Sequence, residues 1–265
     1  MVETAAKSEL DPRWYDMIAV RTSRRRFTGE PVPDDAMAAL RAFRERFTAL
    51  PEVRIAIALN APGNLFLAIL GRYGRIDDAP SAALMIGPKG SGESVGYVGE
   101  AFILEATRLG VGTCWVAGTF DRLKAPKMTE LGPAETVICT TPLGVPTPKA
   151  EADEKALRRL VRASRRKPLL EIAPGAGSGE WPPWALAAVE AARIGPSGSN
   201  RQPWRFSYDG IGLVLTCPPT AYFTANVDRG IAMLHVELGA AHAGVTGRWE
   251  RLQSPGVLRF APETP

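Results

Sequence analysis

Apolar residues along the chain change their spacing in ways that mark out its elements. Val53-Arg54-Ile55-Ala56-Ile57-Ala58-Leu59 puts large or branched apolar side chains at alternate positions, a strand signal, and Asn60-Ala61-Pro62-Gly63-Asn64 breaks it. Residues 82–86 predict a second strand, closed by a flexible Gly-rich loop at 87–92. From Val95 the period lengthens: Val98, Phe102, Ala106 and Leu109 recur at helical spacing and predict a helix over 95–109, capped by Gly110. Helices are also predicted over 12–19, over 36–47 (entered through Pro33-Asp34-Asp35) and over 184–194. Residues 112–120 predict a short buried strand running into a glycine turn, and 136–141 a strand leaving through Pro142. Residues 65–70 form an apolar run that periodicity does not assign. Residues 150–167 read as a charged helical stretch, and 173–179 as a Gly/Pro-rich linker.

That linker is the best internal boundary, because a repeat spans it. Gly96, Leu104, Ala106, Gly110, Val111 and Trp115 align with Gly230, Leu238, Ala240, Gly244, Val245 and Trp249 at one constant offset. Both windows run helix, glycine, tryptophan. The expected architecture is therefore α+β, with two related halves at 1–172 and 173–265.

Composition narrows the class. With 265 residues, 45% of them apolar, the chain can bury a large core. No apolar run approaches the roughly 18 residues that span a bilayer, and Met1 to Asp11 lacks a signal-peptide pattern. The expectation is a soluble, cytoplasmic protein that does not engage a membrane. Cys114, Cys139 and Cys217 are odd in number and far apart, which fits a reducing compartment. His235 and His242, seven apart on a predicted helix, read as packed or surface side chains and not as metal ligands. The net charge of +4 is mild and concentrated in Arg24-Arg25-Arg26 and residues 158–167. Nucleic acid would ask for a broader basic stripe with stacking aromatics, so no nucleic-acid partner is expected. A local anion site explains two short clusters better.

Two stretches carry candidate chemistry. Arg21, Ser23 and Arg25 alternate, so a helix would pair the arginines and an extended strand would align all three. Two guanidinium forks and a hydroxyl suit a phosphate, against the plainer reading of a solvated basic turn. The second stretch is Gly195-Pro196-Ser197-Gly198-Ser199-Asn200-Arg201-Gln202-Pro203-Trp204-Arg205-Phe206, where Pro196 ends a helix and small residues leave backbone amides uncovered. Its plainer reading is a helix-to-strand loop, with Trp204 as core.

These residues together resemble the FMN-dependent nitroreductase family. The resemblance rests on Arg21-x-Ser23-x-Arg25-x-Phe27 with Pro31-Val32-Pro33, on Leu109 to Trp115, on Leu143-Gly144-Val145-Pro146, on Arg166-Lys167-Pro168-Leu169, and on Pro196 to Phe206, Asp228-x-Gly230-Ile231-Ala232 and Gly244 to Trp249. It implies a nitroreductase-like fold, each half a mainly antiparallel sheet flanked by helices. It implies that Arg21, Ser23 and Arg25 bind the phosphate, ribityl chain and pyrimidine edge of FMN. Arg166 would complete the phosphate pocket, and Pro196, Ser197 and Asn200 would cover the ring. Ala117 and Gly118 would offer backbone N–H groups near flavin N5. No side chain is forced as general acid or base. The family builds its flavin site between subunits, and here the covering loop is missing after the first clamp, where residues 41–51 read RAFRERFTALP. One site per pseudo-dimeric chain, between the halves, is therefore expected. Arg162-Ala163-Ser164-Arg165-Arg166 echoes the clamp. The implied activity moves electrons from transient NAD(P)H through FMN to a small-molecule acceptor such as a nitroaromatic or quinone; the alternative is a protein that sequesters FMN without turnover. A substrate lid is expected from 65–78 or 221–228.

Overall fold

The computed structural model describes residues 10–46, 50–67, 75–148, 165–217, 224–253 and 257–263. Helices α1 (Arg13–Val20) and α2 (Asp34–Arg46) lead into strands β1 (Arg54–Leu59) and β2 (Ser81–Pro88). Helix α3 (Gly92–Arg108) and strand β3 (Glu135–Leu143) follow. A single helical turn α4 (Leu169–Ile172), helix α5 (Pro183–Arg193), strands β4 (Arg205–Tyr208) and β5 (Leu213–Thr216), helix α6 (Ala225–His242) and strands β6 (Gly247–Arg251) and β7 (Val257–Pro262) complete the order. All strand pairing is antiparallel, in one sheet ordered β1-β2-β3 and another ordered β4-β5-β7-β6. A similar succession occurs twice: helix, two paired strands, a long helix, and a strand (β3 or β7) that returns to the far side of the second; the second half has in addition β6, at the sheet edge, between its long helix and β7.

The two long helices, α3 and α6, form the centre, and glycines decide how closely they cross. A Cβ built on Gly96 would lie 2.0 Å from the Val227 carbonyl oxygen, and one on Gly230 would lie 1.9 Å from that of Glu93. Only hydrogen fits at either place. Both helices end alike. Gly110 (φ +74°) and Val111 donate to the carbonyls of Thr107 and Ala106, and Gly244 (φ +80°) and Val245 donate to those of Ala241 and Ala240. These are left-handed glycine caps with two closing bonds.

Helix α3 carries buried acids, which demand partners in so apolar a setting. Glu93 meets Arg229 and Arg251. Glu105 accepts from Trp14 Nε1 and Arg108, and the Arg108 contact holds its carboxyl below the usual carboxylate range. Glu100 is fully buried and belongs to the site described below.

Two expectations need correction. Residues 112–120 make only isolated bridges, Gly112 to Gly144, Thr113 to Ser23, Val116 to Thr140 and Phe120 to Phe66, and so form no continuous ladder with β3. Residues 173–179 are not a loose linker: Ile172 and Ala173 are fully buried, Pro174–Gly177 forms a 3-10 turn, and Gly175 lies against the Trp181 ring. Residues 150–164, with most of the clamp echo, and parts of both expected lids (68–74 and 221–223) lie outside the described residues.

Candidate functional site

Helix α5 ends at Arg193, and the chain enters residues 195–202 through Gly195 and Pro196. Three non-glycine residues here adopt left-handed backbone: Ser199 (φ 52°), Asn200 (φ 53°) and Gln202 (φ 47°). Each such residue costs about 1–2 kcal/mol unless its surroundings hold it there. The holding bonds are present. Gln202 N–H donates to Ser197 Oγ at 2.9 Å, Gly198 N–H to Asp228 Oδ1 at 2.9 Å, and Asn200 N–H to the Ser197 carbonyl at 3.0 Å. Gly198 itself has no room for a side chain, since a Cβ would lie 2.4 Å from Thr224 Oγ1.

The loop is stitched to residues 165–167. Arg166 Nη1 donates to Asn200 Oδ1 at 2.6 Å and Nη2 to the Ile194 carbonyl at 2.9 Å. Asn200 Nδ2 donates to the Arg165 carbonyl at 3.0 Å. Gln202, only 3% exposed, donates to that same carbonyl and accepts from Lys167 N–H. Both polar ends of the Asn200 side chain thus face the 165–166 segment, whereas the resemblance implied that this side chain edges a ligand.

Arg21 arrives from the opposite end of the chain. It caps α1, and the extended alternative for 21–25 holds: Ser23 bridges in parallel to Thr113, Arg24 N–H donates to the Thr113 carbonyl, and Asp77 N–H donates to that of Arg25. The Arg21 side chain is only 8% exposed, and its nearest anion is Glu100, 3.8 Å away through Nε. Its terminal nitrogens donate to none of the described residues. Arg166 feels the Arg21 charge: burial first, then the nearby Arg21 and Arg193 guanidiniums, push it down to about 10. Arginine does not shed its charge readily, so an added anion would relieve this crowding.

Glu100 is the carboxylate in this neighbourhood. Its Oε2 accepts from Trp115 Nε1 at 2.6 Å, and its Oε1 lies 3.0 Å from His235 Nε2. From Thr113, beside Ser23, the chain runs through Trp115 to Ala117 and Gly118. The Ala117 carbonyl accepts from Arg122, and the backbone N–H groups of Ala117 and Gly118 donate to none of the described residues. Pro196 and Ser197 are half-buried at the start of the loop, and Trp204 is fully buried, as core. The arrangement therefore brings Arg21, Arg166 and Asn200 together, with Ser23 and Arg25 on the strand that leaves Arg21.

Sequence reasoning missed Glu100 and gave no site role to His235, Gln202 or Asp228. Gln202 lay inside the singled-out stretch, and Asp228 opened the Asp228-x-Gly230 motif. His235 is fully buried and His242 stacks on Tyr15, so the expectation of packed histidines holds. No group of three metal-ligating side chains occurs among the described residues. Burial pushes the thiols of Cys139 and Cys217 up to about 12, so neither is a thiolate nucleophile.

A family model described as "Putative TM nitroreductase" matches residues 13–240. The chain belongs to the nitroreductase family. A Thermotoga maritima structure, titled as a putative nitroreductase, shares the family fold with this chain: TM-score 0.65 at 19% identity, covering 98% of this chain and 99% of that one. A solved oxidoreductase containing FMN gives a TM-score of 0.45 at 18% identity, over 63% of this chain and 91% of that one. A Bacteroides fragilis nitroreductase with bound FMN gives 0.40 at 17% identity, over 51% and 88%. No curated protein matches the nitroreductase-family chain described here. No helix among the described residues is long and apolar enough to cross a membrane.

Proposed function

We propose that this nitroreductase-family protein is an FMN-dependent oxidoreductase that takes electrons from NAD(P)H and passes them to a nitroaromatic, quinone or similar acceptor. One observation carries the reading. An arginine from the front of the chain, its side chain buried and its terminal nitrogens unused by the described residues, lies near enough to the half-buried Arg166, held by the 195–202 loop, for its charge to be felt there. That donor set fits the phosphate of FMN. Arg21 and Arg166 bind the phosphate, the Ser23 hydroxyl and Arg25 hold the ribityl and pyrimidine side, and Pro196, Ser197 and Asn200 form the covering wall. Ala117 and Gly118 direct backbone N–H groups to the reacting edge. FMN, when bound, supplies hydride acceptance and one- or two-electron delivery; the protein supplies grip, orientation and positive charge. The recurring order of elements and the reciprocal glycine contacts support two related halves, 1–172 and 173–265, sharing one site between them.

The test is spectroscopic. Purified protein titrated with FMN is expected to bind it and show a visible flavin spectrum, bleached by NADPH or NADH and restored over many cycles by a nitro compound or quinone. Failure to bind FMN overturns the reading. Tight binding without turnover leaves a flavin-sequestering protein in its place.

A further inference from the structure

Arg21 and the loop containing Asn200 come from opposite ends of the chain, yet one buried pair touches the supports of both. Glu100, fully buried in α3, faces Arg21 Nε at 3.8 Å. His235, fully buried in α6, lies 3.0 Å from the same Glu100 oxygen. The other ring nitrogen of His235 is 2.9 Å from the Ala191 carbonyl in α5, a group that can only accept, so Nδ1 carries a proton. Gly195, where the loop begins, lies against this ring: a Cβ there would be 3.1 Å from His235 Nδ1. The chain of contacts runs from Arg21 through Glu100 and His235 to the end of α5, then along the loop to Asn200 and Arg166, which feels the Arg21 charge.

We infer that Glu100 and His235 are positioning residues for the phosphate grip, acting through Arg21 and the loop root and touching no ligand themselves. The approach through Nε is what matters. A carboxylate at that nitrogen orients the guanidinium and leaves its terminal fork for a bidentate contact. Trp115 Nε1–H donates to one Glu100 oxygen and His235 Nε2 lies against the other, and the two hold the carboxyl group in place, as outer hydrogen bonds fix a ligating group elsewhere. With Glu100 neutral, Arg21 loses its only anion among the described residues and is pushed by Arg166, so the fork must be re-ordered each time a phosphate binds.

This inference rests on the FMN reading, and its test separates the two by comparing FMN with riboflavin, which lacks the phosphate. A residue needed only for folding weakens both; a residue that aims Arg21 weakens FMN alone. In Glu100→Gln, the ratio of riboflavin Kd to FMN Kd is expected to fall about tenfold or more, with riboflavin changed by less than about threefold. In an Arg21→Gln background the same substitution is expected to change the ratio less than about twofold, since the two act as one unit. His235→Gln keeps an amide donor near Glu100 and is expected to hold the ratio; His235→Asn falls short and is expected to lose it. Thermal melts followed by circular dichroism identify any variant that is unfolded, and the remaining variants then decide. Equal loss of both flavins, an unchanged or raised ratio in Glu100→Gln, or an effect that persists without Arg21 overturns the inference while the FMN reading stands. Wild-type protein that binds FMN no better than riboflavin removes the phosphate site and this inference with it.

Discussion

Gly230 lies so close to Glu93 that a Cβ would sit 1.9 Å from its carbonyl oxygen, and Gly96 stands in the same relation to Val227. The obstacle in each case is backbone, which cannot swing aside as a side chain end can. Gly230→Ala and Gly96→Ala are therefore expected to destabilise by about 1–3 kcal/mol or more, from forced separation of the central helices. Urea denaturation of each variant checks this. Similar losses at both positions support the equivalence of the two sides; an effect at one alone counts against it.

Asn200→Asp is expected to weaken FMN binding while changing the stability of the empty protein little. A carboxylate at the position of Asn200 Oδ1, 2.6 Å from Arg166, offsets the crowding of Arg166 by Arg21 and Arg193. Its second oxygen, however, replaces the Nδ2 donor and meets the Arg165 carbonyl at 3.0 Å, which opposes that gain. Phosphate then meets a neutralised clamp, and on the proposed FMN reading the affinity should drop about tenfold or more. Melting temperature and flavin titration on the same preparation measure both effects.

Ser199→Gly tests the strain in the loop. Ser199 sits at φ 52° and ψ 26°, a conformation glycine takes without penalty. Relief of about 1–2 kcal/mol, less the added freedom of the unfolded chain, leaves an expected gain of about 0.5–1 kcal/mol. A loss on chemical denaturation would show that the left-handed turn is unstrained.

Glu237 sets a pH dependence away from the clamp. It accepts from Tyr97 Oη at 2.7 Å and Trp249 Nε1 at 2.6 Å, and burial nevertheless pushes its carboxyl up to about 7, against the pull of both bonds. A raised carboxyl pKa means that the folded protein holds a proton the unfolded chain has released. This contribution is complete below about 4.5 and is lost as pH rises toward 7. Glu237→Gln should flatten that part of the stability curve, by at most about 3 kcal/mol between those limits. Parallel melts of both proteins from pH 4.5 to 8 show the difference.

Much of this was legible in the chain itself, and the gaps have physical causes. Helical spacing marked α3, alternation marked β1, and the shared glycines and tryptophans marked the repeat, because these signals are local. The Arg21 and Pro196 stretches stood out because their residue types suit an anion and a tight turn. Glu100 and His235 stayed hidden: each is one of several polar residues on its helix, and only the crossing of α3 and α6 makes them partners. The bridges of residues 112–116 read as a strand because buried alternation looks the same whether or not a ladder forms. Ala173 and its neighbours read as linker because Gly and Pro signal turns, and a packed turn has the same composition as a loose one.

Arg21 and Asn200 are supplied by a single polypeptide. A pocket whose walls come from separate chains empties as protein concentration falls, whereas tethered walls meet at a fixed local concentration set by the connection between them. On the proposed FMN reading, with one site held within one chain, flavin occupancy is therefore expected to follow free flavin as the protein is diluted.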